Sequence, residues 1–370
     1  MRKNIITTFT LIVTAAFCIG WGAAGHRKIS YNIILFMNSE MSQLGGWPTL
    51  LADHASDADD RKHDDPSESP KHYIDIDNYN EFVATGRIPQ TKDSVSAIHG
   101  YSFVRNNGIL PWATKASFDS LKACFLRYDW SNAMLFASDL GHYVADGYMP
   151  LHITKDYDGR TGNQSGIHSR YESAMIEDNL NEIVYTGASI SLIPDVNQYI
   201  FNYLYANYNY VDSVLAADDY AQNISSNTSS SEYRRALWQQ TKELTTKLFR
   251  NASHSLTELI YTAWVQAGRP LISETSVASV KPVQNVSIEQ NVPNPFCEKT
   301  RIKYTLTSDT DILIQIEDCT GRSVETLVNG HAEKGQHVLE WQSSDLTAGI
   351  YFLILKTAES SQVKKMLFVP

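Results

Sequence analysis

The chain has 370 residues, of which 43% are hydrophobic, and it carries a formal net charge of −10 at pH 7. This length and composition are sufficient for two domains with ordinary hydrophobic cores. The acidic balance excludes a broad basic face for duplex nucleic acid, and it fits a domain whose carboxylates are partly neutralised by bound cations.

Residues 1–20 are predicted to be a secretory signal peptide. Arg2 and Lys3 precede an apolar run, Ile5 to Ile19, which ends in small residues and is too short to span a bilayer. A lipoprotein signal using Cys18 is the alternative, although Phe17 is a poor residue before a lipidated cysteine. No other stretch reaches the roughly 18 unbroken apolar residues that a span requires. The mature chain is therefore predicted to be exported, with no stable membrane span.

Residues 21–272 are predicted to form an all-α domain, because apolar residues recur there at helical spacing. The helical patterns run from Ile29 to Met37, Ala52 to Lys62, Phe118 to Asp146 with an interruption near Tyr128, Ile167 to Tyr185, Pro194 to Leu215 and Glu232 to Ala267. Asp64 to Pro70 and Lys155 to Gly166 are predicted to be loops, and Lys71 to Asp77 is predicted to be extended or irregular.

The pattern changes after Leu271. Residues 273–288 are small, polar and rich in valine, which is typical of a linker. Short alternating runs follow within residues 289–370, separated by turn residues such as Asn329-Gly330. They predict a small all-β sandwich domain.

The segment from Gly141 to His152 is the centre of the predicted functional site. His142 and Asp146 are four residues apart, so they share one face of a helix. Pro150 should end or kink that helix and let His152 turn back toward the same space. Two imidazoles and a carboxylate directed at one point are donors that zinc prefers. A buried hydrogen-bonded pair of His142 and Asp146 is the simpler alternative.

Further donors of the same type occur along the helical region. His168 and Glu172 form a second pair with a spacing of four residues, and the others are His26, Asp59 and His72. Eight such side chains are too many for one tetrahedral ion, so they imply two or three. For Asp59 the alternative is a solvated acidic turn, and Asp57 is a competing ligand two residues away.

The order of these residues resembles the superfamily of zinc-dependent phospholipases C and single-strand-specific zinc nucleases, from Trp21 to about Leu271. The matching features are Trp21 as the mature N-terminal residue followed by His26, Ala58-Asp59, His72-Tyr73-Ile74-Asp75, His142-x3-Asp146-x5-His152 and His168-x3-Glu172. The family fold is all-α, and the family site holds three zinc ions.

The resemblance implies a ligand set for each ion. One zinc ion would take Trp21, through its α-amino group and carbonyl, with His26 and Asp146; a second would take Asp59, His72, His142 and a bridging Asp146; a third would take His152, His168 and Glu172. Asp59 and Asp146 are the predicted catalytic residues. The implied reaction is hydrolysis of a phosphate ester by a metal-activated hydroxide.

The two branches of the superfamily differ in substrate. The close spacing of Trp21 and His26 resembles the nucleases, whereas Glu172 resembles the phospholipases, because the nucleases usually have aspartate at that position. We favour a phospholipase C-like phosphodiesterase acting on phospholipid. The alternative is a single-strand-specific endonuclease or nucleotidase acting on single-stranded nucleic acid. A non-catalytic zinc-binding surface protein is the alternative from another class.

The C-terminal residues resemble a type A sorting domain of the type IX secretion system. The features that carry this resemblance are Asn291-Val292-Pro293-Asn294-Pro295-Phe296, Leu346-x2-Gly349-Ile350-Tyr351 and Lys364-Lys365-Met366-Leu367. The resemblance implies type IX secretion machinery as a partner and a secreted or cell-surface location. A carbohydrate-binding or adhesion-type sandwich is the alternative.

Overall fold

The computed structural model describes residues 21–160, 162–272, 286–294, 296–318, 323–342, 346–347, 349–357 and 361–368. The predicted signal peptide, and residues 273–285 of the predicted linker, lie outside these ranges. The described residues are helical as far as Gln266 and form antiparallel strands from Val286 onward. The predicted fold class, an all-α domain followed by a small β-sandwich, is confirmed.

The helical region contains α-helices joined by short 3₁₀ turns. The α-helices are α1 (Gly22–Tyr31), α2 (Trp47–Asp53), α3 (Asp57–Arg61), α4 (Asn80–Thr85), α5 (Lys92–His99), α6 (Tyr101–Asn106), α7 (Leu110–Leu126), α8 (Trp130–Gly147), α9 (Ile167–Ser169), α10 (Met175–Asn179), α11 (Val196–Tyr208), α12 (Val211–Ile224) and α13 (Ser231–Gln266). Among the described residues, every helix is too short or too polar to span a bilayer.

Helices α7, α8 and α13 form the centre of the helical region, and α1 and α2 pack against α8. The break predicted near Tyr128 is present, since α7 ends at Leu126 and Tyr128 has a φ of 59°. Asp129 then caps α8 by accepting a hydrogen bond from the backbone N–H of Asn132. The 36-residue helix α13 begins with a similar cap at Ser230.

Several of the helical patterns contain breaks that the sequence does not reveal, and Ala52 to Lys62 is one of them, because α2 ends at Asp53 and α3 begins at Asp57. The pattern from Pro194 to Leu215 is divided between α11 and α12 by a turn at Asn209 and Tyr210, because apolar spacing can continue across a short turn without revealing the break. The pattern from Ile167 to Tyr185 contains a π-helical turn, Arg170–Ala174, and ends as a 3₁₀ turn, Leu180–Glu182.

The β region is a two-sheet sandwich with a shared core. Its strands are β1 (Val286–Ile288), β2 (Lys299–Leu306), β3 (Thr310–Asp318), β4 (Ser323–Ala332), β5 (Gly335–Gln342), β6 (Gly349–Lys356) and β7 (Ser361–Phe368). One sheet has the order β1-β2-β5 and the other β4-β3-β6-β7. The last three residues of the predicted linker therefore form a strand, because Val286 and Ile288 alternate into the sandwich core.

The helical and β regions share a small apolar cluster. Tyr31 of α1 and Ala52 of α2 pack with Phe352 and Ile354 of β6, and all four are buried. The rings of Tyr31 and Phe352 meet edge to face, with centroids 4.9 Å apart.

Candidate metal centre

The C-terminal end of α8 carries two of the predicted donors. His142 and Asp146 are buried on one face, with His142 Nε2 3.4 Å from Asp146 Oδ2. The helix ends at Gly147, and the turn Pro150–His152 returns the chain, so that His152 Nδ1 lies 3.4 Å from Asp146 Oδ1. The structure therefore brings all three side chains of this segment together, as their spacing predicts.

Asp59 and His72 reach the same carboxylate from another part of the chain. His72 Nδ1 lies 3.0 Å from Asp146 Oδ2 and 3.0 Å from His142 Nε2. Asp59 Oδ1 is 3.5 Å from both of these imidazole nitrogens. Asp59, His72 and His142 thus form one compact group of buried donor atoms.

Asp57, the competing candidate, lies elsewhere. Its carboxylate is 2.7 Å from His54 Nδ1, and its side chain is 42% exposed. Asp59 follows it by two residues on the short helix α3, so the two side chains point in different directions. Between the two alternatives, the helix directs Asp59 into the donor group.

His26 of α1 joins the cluster by stacking on His142. Its Nε2 lies 3.5 Å from Asp146 Oδ1, and its ring stacks on that of His142 with centroids 4.0 Å apart. His26, His142 and Asp146 form a second group of donors. Asp146 therefore contacts imidazoles from four separate positions in the sequence.

Trp21 lies at the N-terminal end of α1, between two parts of the site. Its buried indole donates a hydrogen bond from Nε1 to the carbonyl of Ala145, at 2.8 Å. Gly22 has a φ of +57°, and a Cβ at that position would lie 3.5 Å from the Glu172 carbonyl. The Trp21 side chain thus contacts the helix that carries Asp146, and the backbone at Gly22 lies beside Glu172.

The third group is built from His152, His168 and Glu172. His152 Nε2 lies 3.1 Å from His168 Nε2, and Glu172 Oε2 lies 3.0 Å from His168 Nε2. The π-helical turn Arg170–Ala174 begins two residues after His168 and contains Glu172. Such turns are rare and are often found at functional sites.

Backbone carbonyl groups set the tautomers of three imidazoles. Each of these rings directs Nδ1 at a carbonyl oxygen: His142 at Ala55 (2.7 Å), His152 at His72 (2.7 Å) and His168 at Tyr157 (3.3 Å). An Nδ1–H that donates to a carbonyl leaves Nε2 with a free lone pair. The Nε2 atoms of His152 and His168 therefore face each other as two acceptors, which a cation between them would satisfy.

The donor set fits zinc. Several buried polar atoms of the donor groups have no hydrogen-bond partner among the described residues: His26 Nδ1 and Nε2, Asp59 Oδ2 and Asp146 Oδ1. Zinc–nitrogen bonds of about 2.0–2.1 Å place two ligands of a tetrahedron about 3.3 Å apart. The separations in the cluster, 3.0–3.5 Å, match that value.

The electrostatics of the site favour a cation. Burial opposes ionisation of Asp146, but His142 and His152, when protonated and positively charged, outweigh it and hold the pKa of that carboxyl well below its usual range. A bound cation would take the place of those protons and leave both rings neutral. Burial also lowers the pKa of His142, yet Asp146 and Asp59 outweigh it and raise that pKa. Ionised carboxylates that attract positive charge in a buried position meet the electrostatic requirement of a divalent cation.

Two residues of the site were not predicted from the sequence. Lys62 donates to Asp59 Oδ1 at 2.7 Å, and its side chain is only 9% exposed. The spacing of three residues places Lys62 and Asp59 on the same face of a helix, but the same spacing is also typical of an ion pair on the surface. Glu68 lies in a segment predicted to be a loop, and no local signal indicated its burial.

Glu68 supports His72 from behind. It is 1% exposed, and its Oε1 lies 3.5 Å from His72 Nε2. Lys71 donates to it at 2.7 Å, Tyr143 donates through its hydroxyl, and Arg61 lies 3.4 Å away. A carboxylate behind a ligating imidazole fixes the ring and increases its basicity.

Replacing Glu68 by glutamine should weaken zinc binding about 10- to 100-fold at the group that contains His72. The amide keeps the shape of the side chain but removes the charge that faces the imidazole. Competition with a chromophoric chelator measures the effect. The matched control is Glu177→Gln on an exposed position of α10. Equal zinc affinity in the two variants would show that Glu68 does not support His72.

The comparisons with known proteins cover both regions of the chain. Residues 292–369 match the family model described as a secretion system C-terminal sorting domain. The match confirms the resemblance of the β region to a sorting domain, and it indicates export by type IX secretion to the cell surface or the extracellular space. Among curated proteins, none matches the chain.

Two solved structures are similar to nearly the whole chain. The alpha toxin from Clostridium absonum is 10% identical, with a TM-score of 0.43 and coverage of 96% of this chain and 96% of that chain. The alpha-toxin of Clostridium perfringens from an avian strain is 11% identical, with a TM-score of 0.42 and coverage of 95% and 98%.

Proposed function

We propose that the helical domain is a secreted zinc-dependent phosphodiesterase of the phospholipase C type. The observation that carries this proposal is the convergence of three buried donor groups around Asp146 and Glu172, with lone pairs and carboxylate oxygens facing one another. A buried hydrogen-bonded network, the simpler alternative for these residues, would leave fewer unpartnered polar atoms.

Nine residues would hold three zinc ions. Trp21, His26 and Asp146 would hold the first, Asp59, His72, His142 and Asp146 the second, and His152, His168 and Glu172 the third. Zinc bound in this way would supply Lewis acidity that activates water near neutral pH and offsets charge on phosphate oxygens.

The chain itself would contribute positioning and charge. Asp59 has one carboxylate oxygen held by Lys62 and another with no hydrogen-bond partner, so it can orient a water molecule and accept its proton. The Lys62 ammonium adds a positive charge beside the donor group, which favours binding of an anionic phosphodiester. Asp146 contacts four imidazoles and would hold the donor groups at a fixed spacing.

The preference for a phospholipid rests on Glu172. This residue completes the third donor group, and glutamate at this place is the feature that resembles the phospholipase branch. The test is an assay of the mature chain, beginning at Trp21 and loaded with zinc, on phosphatidylcholine vesicles beside single-stranded DNA. Release of phosphocholine, lost on chelation and restored by zinc, is expected. Cleavage of DNA alone would overturn the lipid assignment and support the nuclease.

One observation favours the nuclease as the second candidate. Tyr73 directly follows His72 and is only half-buried, with its hydroxyl donating to the carbonyl of Asn106 at 3.2 Å. An aromatic ring next to a phosphate-cleaving site can stack an unpaired base. Loss of DNA cleavage in Tyr73→Ala with unchanged zinc content would support this role. Absence of turnover on both substrates by the zinc-loaded chain would favour the non-catalytic surface protein.

A further inference from the structure

Strand β6 is buried on both of its faces. Tyr351, Leu353 and Leu355 point into the sandwich core, whereas Phe352 and Ile354 belong to the separate cluster with the helical region. Both Phe352 and Ile354 are 0% exposed. The outer face of a sandwich sheet normally faces water and carries polar residues. An apolar pair on that face requires a partner, and helices α1 and α2 supply it.

The neighbouring strands extend this covered face. Glu317 and Gln315 of β3 are the register partners of Phe352 and Ile354, and Val363 of β7 is the other partner of Ile354. Directly paired residues share a face of a sheet. Val363 packs against the same apolar cluster, and Glu317 is only 2% exposed. The face that is covered by the helical region therefore includes residues of β3, β6 and β7.

Charged residues surround the apolar contact. Glu317 interacts with Lys356 of its own sheet and with Arg27 and Asp53 of the helical region, and burial raises the pKa of its carboxyl. Arg27 Nη1 and Asp53 Oδ1 form an ion pair at 2.8 Å. The contact thus has an apolar centre and a charged rim, which is the arrangement of a specific interface.

The helical side of the contact belongs to the helix that reaches the metal centre. Helix α1 carries Tyr31 near its C-terminal end and His26 five residues earlier. Ala52 lies on α2, which packs on α1. Burial of Tyr31 against Phe352 therefore restrains the same helix that positions His26.

We infer that the sorting domain has a second role besides export: docked on α1 and α2 through the outer face of its four-stranded sheet, it stabilises the helical domain. The occupant of that face is the chain's own helical domain. The inference does not depend on the substrate or on zinc, so it can fail while the proposed function stands.

The test is thermal unfolding of the full chain, followed by helical circular dichroism. Phe352→Ser and Tyr31→Ser should each lower the helical Tm by roughly 5–10 °C, because a buried aromatic ring is lost from either side of the contact. The helical Tm of the double variant should be only slightly lower than that of the less stable single variant, since both changes remove the same contact. Additive shifts would overturn the inference.

Val338→Ser is the matched control. Val338 is an apolar residue on β5, in the other sheet, and it is 55% exposed. We expect this change to leave the helical Tm within about 2 °C of the parent. Small-angle scattering provides an independent measurement, in which Phe352→Ser should increase the radius of gyration as the two domains separate. An unchanged radius together with an unchanged helical Tm in Phe352→Ser would refute the docking role.

Discussion

Replacing Asp146 by asparagine should remove at least two of the proposed zinc ions and lower phosphodiesterase activity by about 1,000-fold or more. Asp146 lies within 3.0–3.5 Å of His26, His72, His142 and His152. The amide is nearly isosteric, but it removes the negative charge that two donor groups share. Zinc per chain, measured by plasma emission, and initial rates on the preferred diester provide the readouts.

The control for this change is Asp119→Asn on α7, where the side chain is 47% exposed and pairs with Lys115. That variant should keep full zinc content and activity, because exposed ion pairs contribute little. Retention of two or more zinc ions and near-normal turnover in Asp146→Asn would contradict the proposed sharing of this carboxylate by two ions.

An additional glycine before Trp21 should remove one zinc ion and lower activity by about 100-fold. The proposed ligand is the α-amino group, which has a pKa of about 8 that a bound metal lowers further. A peptide nitrogen in the same place cannot serve, because its lone pair is delocalised into the amide. The position of Gly22 beside Glu172 and of the Trp21 indole on Ala145 supports this role.

A chain that begins with phenylalanine at position 21 is the control. It keeps the free amino group and an aromatic ring for the pocket formed by Tyr171 and Phe249, and it should bind zinc normally. If the glycine-extended chain retained its zinc and its activity, the N-terminal ligand would be excluded, and the proposed cleavage before Trp21 would have no part in assembling the site.

Much of the helical architecture was predictable because it depends on local periodicity. The break between α7 and α8 and the extent of α13 follow from apolar spacing and capping residues. The helices α4 to α6 were not predicted, since they are only six to eight residues long and present few buried apolar positions. Strand β1 was missed because a three-residue alternation cannot be distinguished from a linker.

The donor residues were predictable for a different reason. Histidine and carboxylate at a spacing of four residues place two donors on one helix face, and this occurs at His142 and Asp146 and again at His168 and Glu172. Helical spacing could not distinguish Asp57 from Asp59, because both lie in one short acidic turn. Only the orientation of α3 against α8 directs Asp59 at His142.

The class of the two domains could be predicted from the sequence, and so could a candidate group of metal donors, because periodicity and donor spacing are properties of neighbouring residues. The tertiary structure decided which donors meet, since contacts such as that of His72 with Asp146 join residues 74 positions apart. It also decided that Glu68 is buried behind His72 and that Phe352 is covered by Tyr31. No local pattern encodes these contacts, because they arise only when separate elements pack against one another.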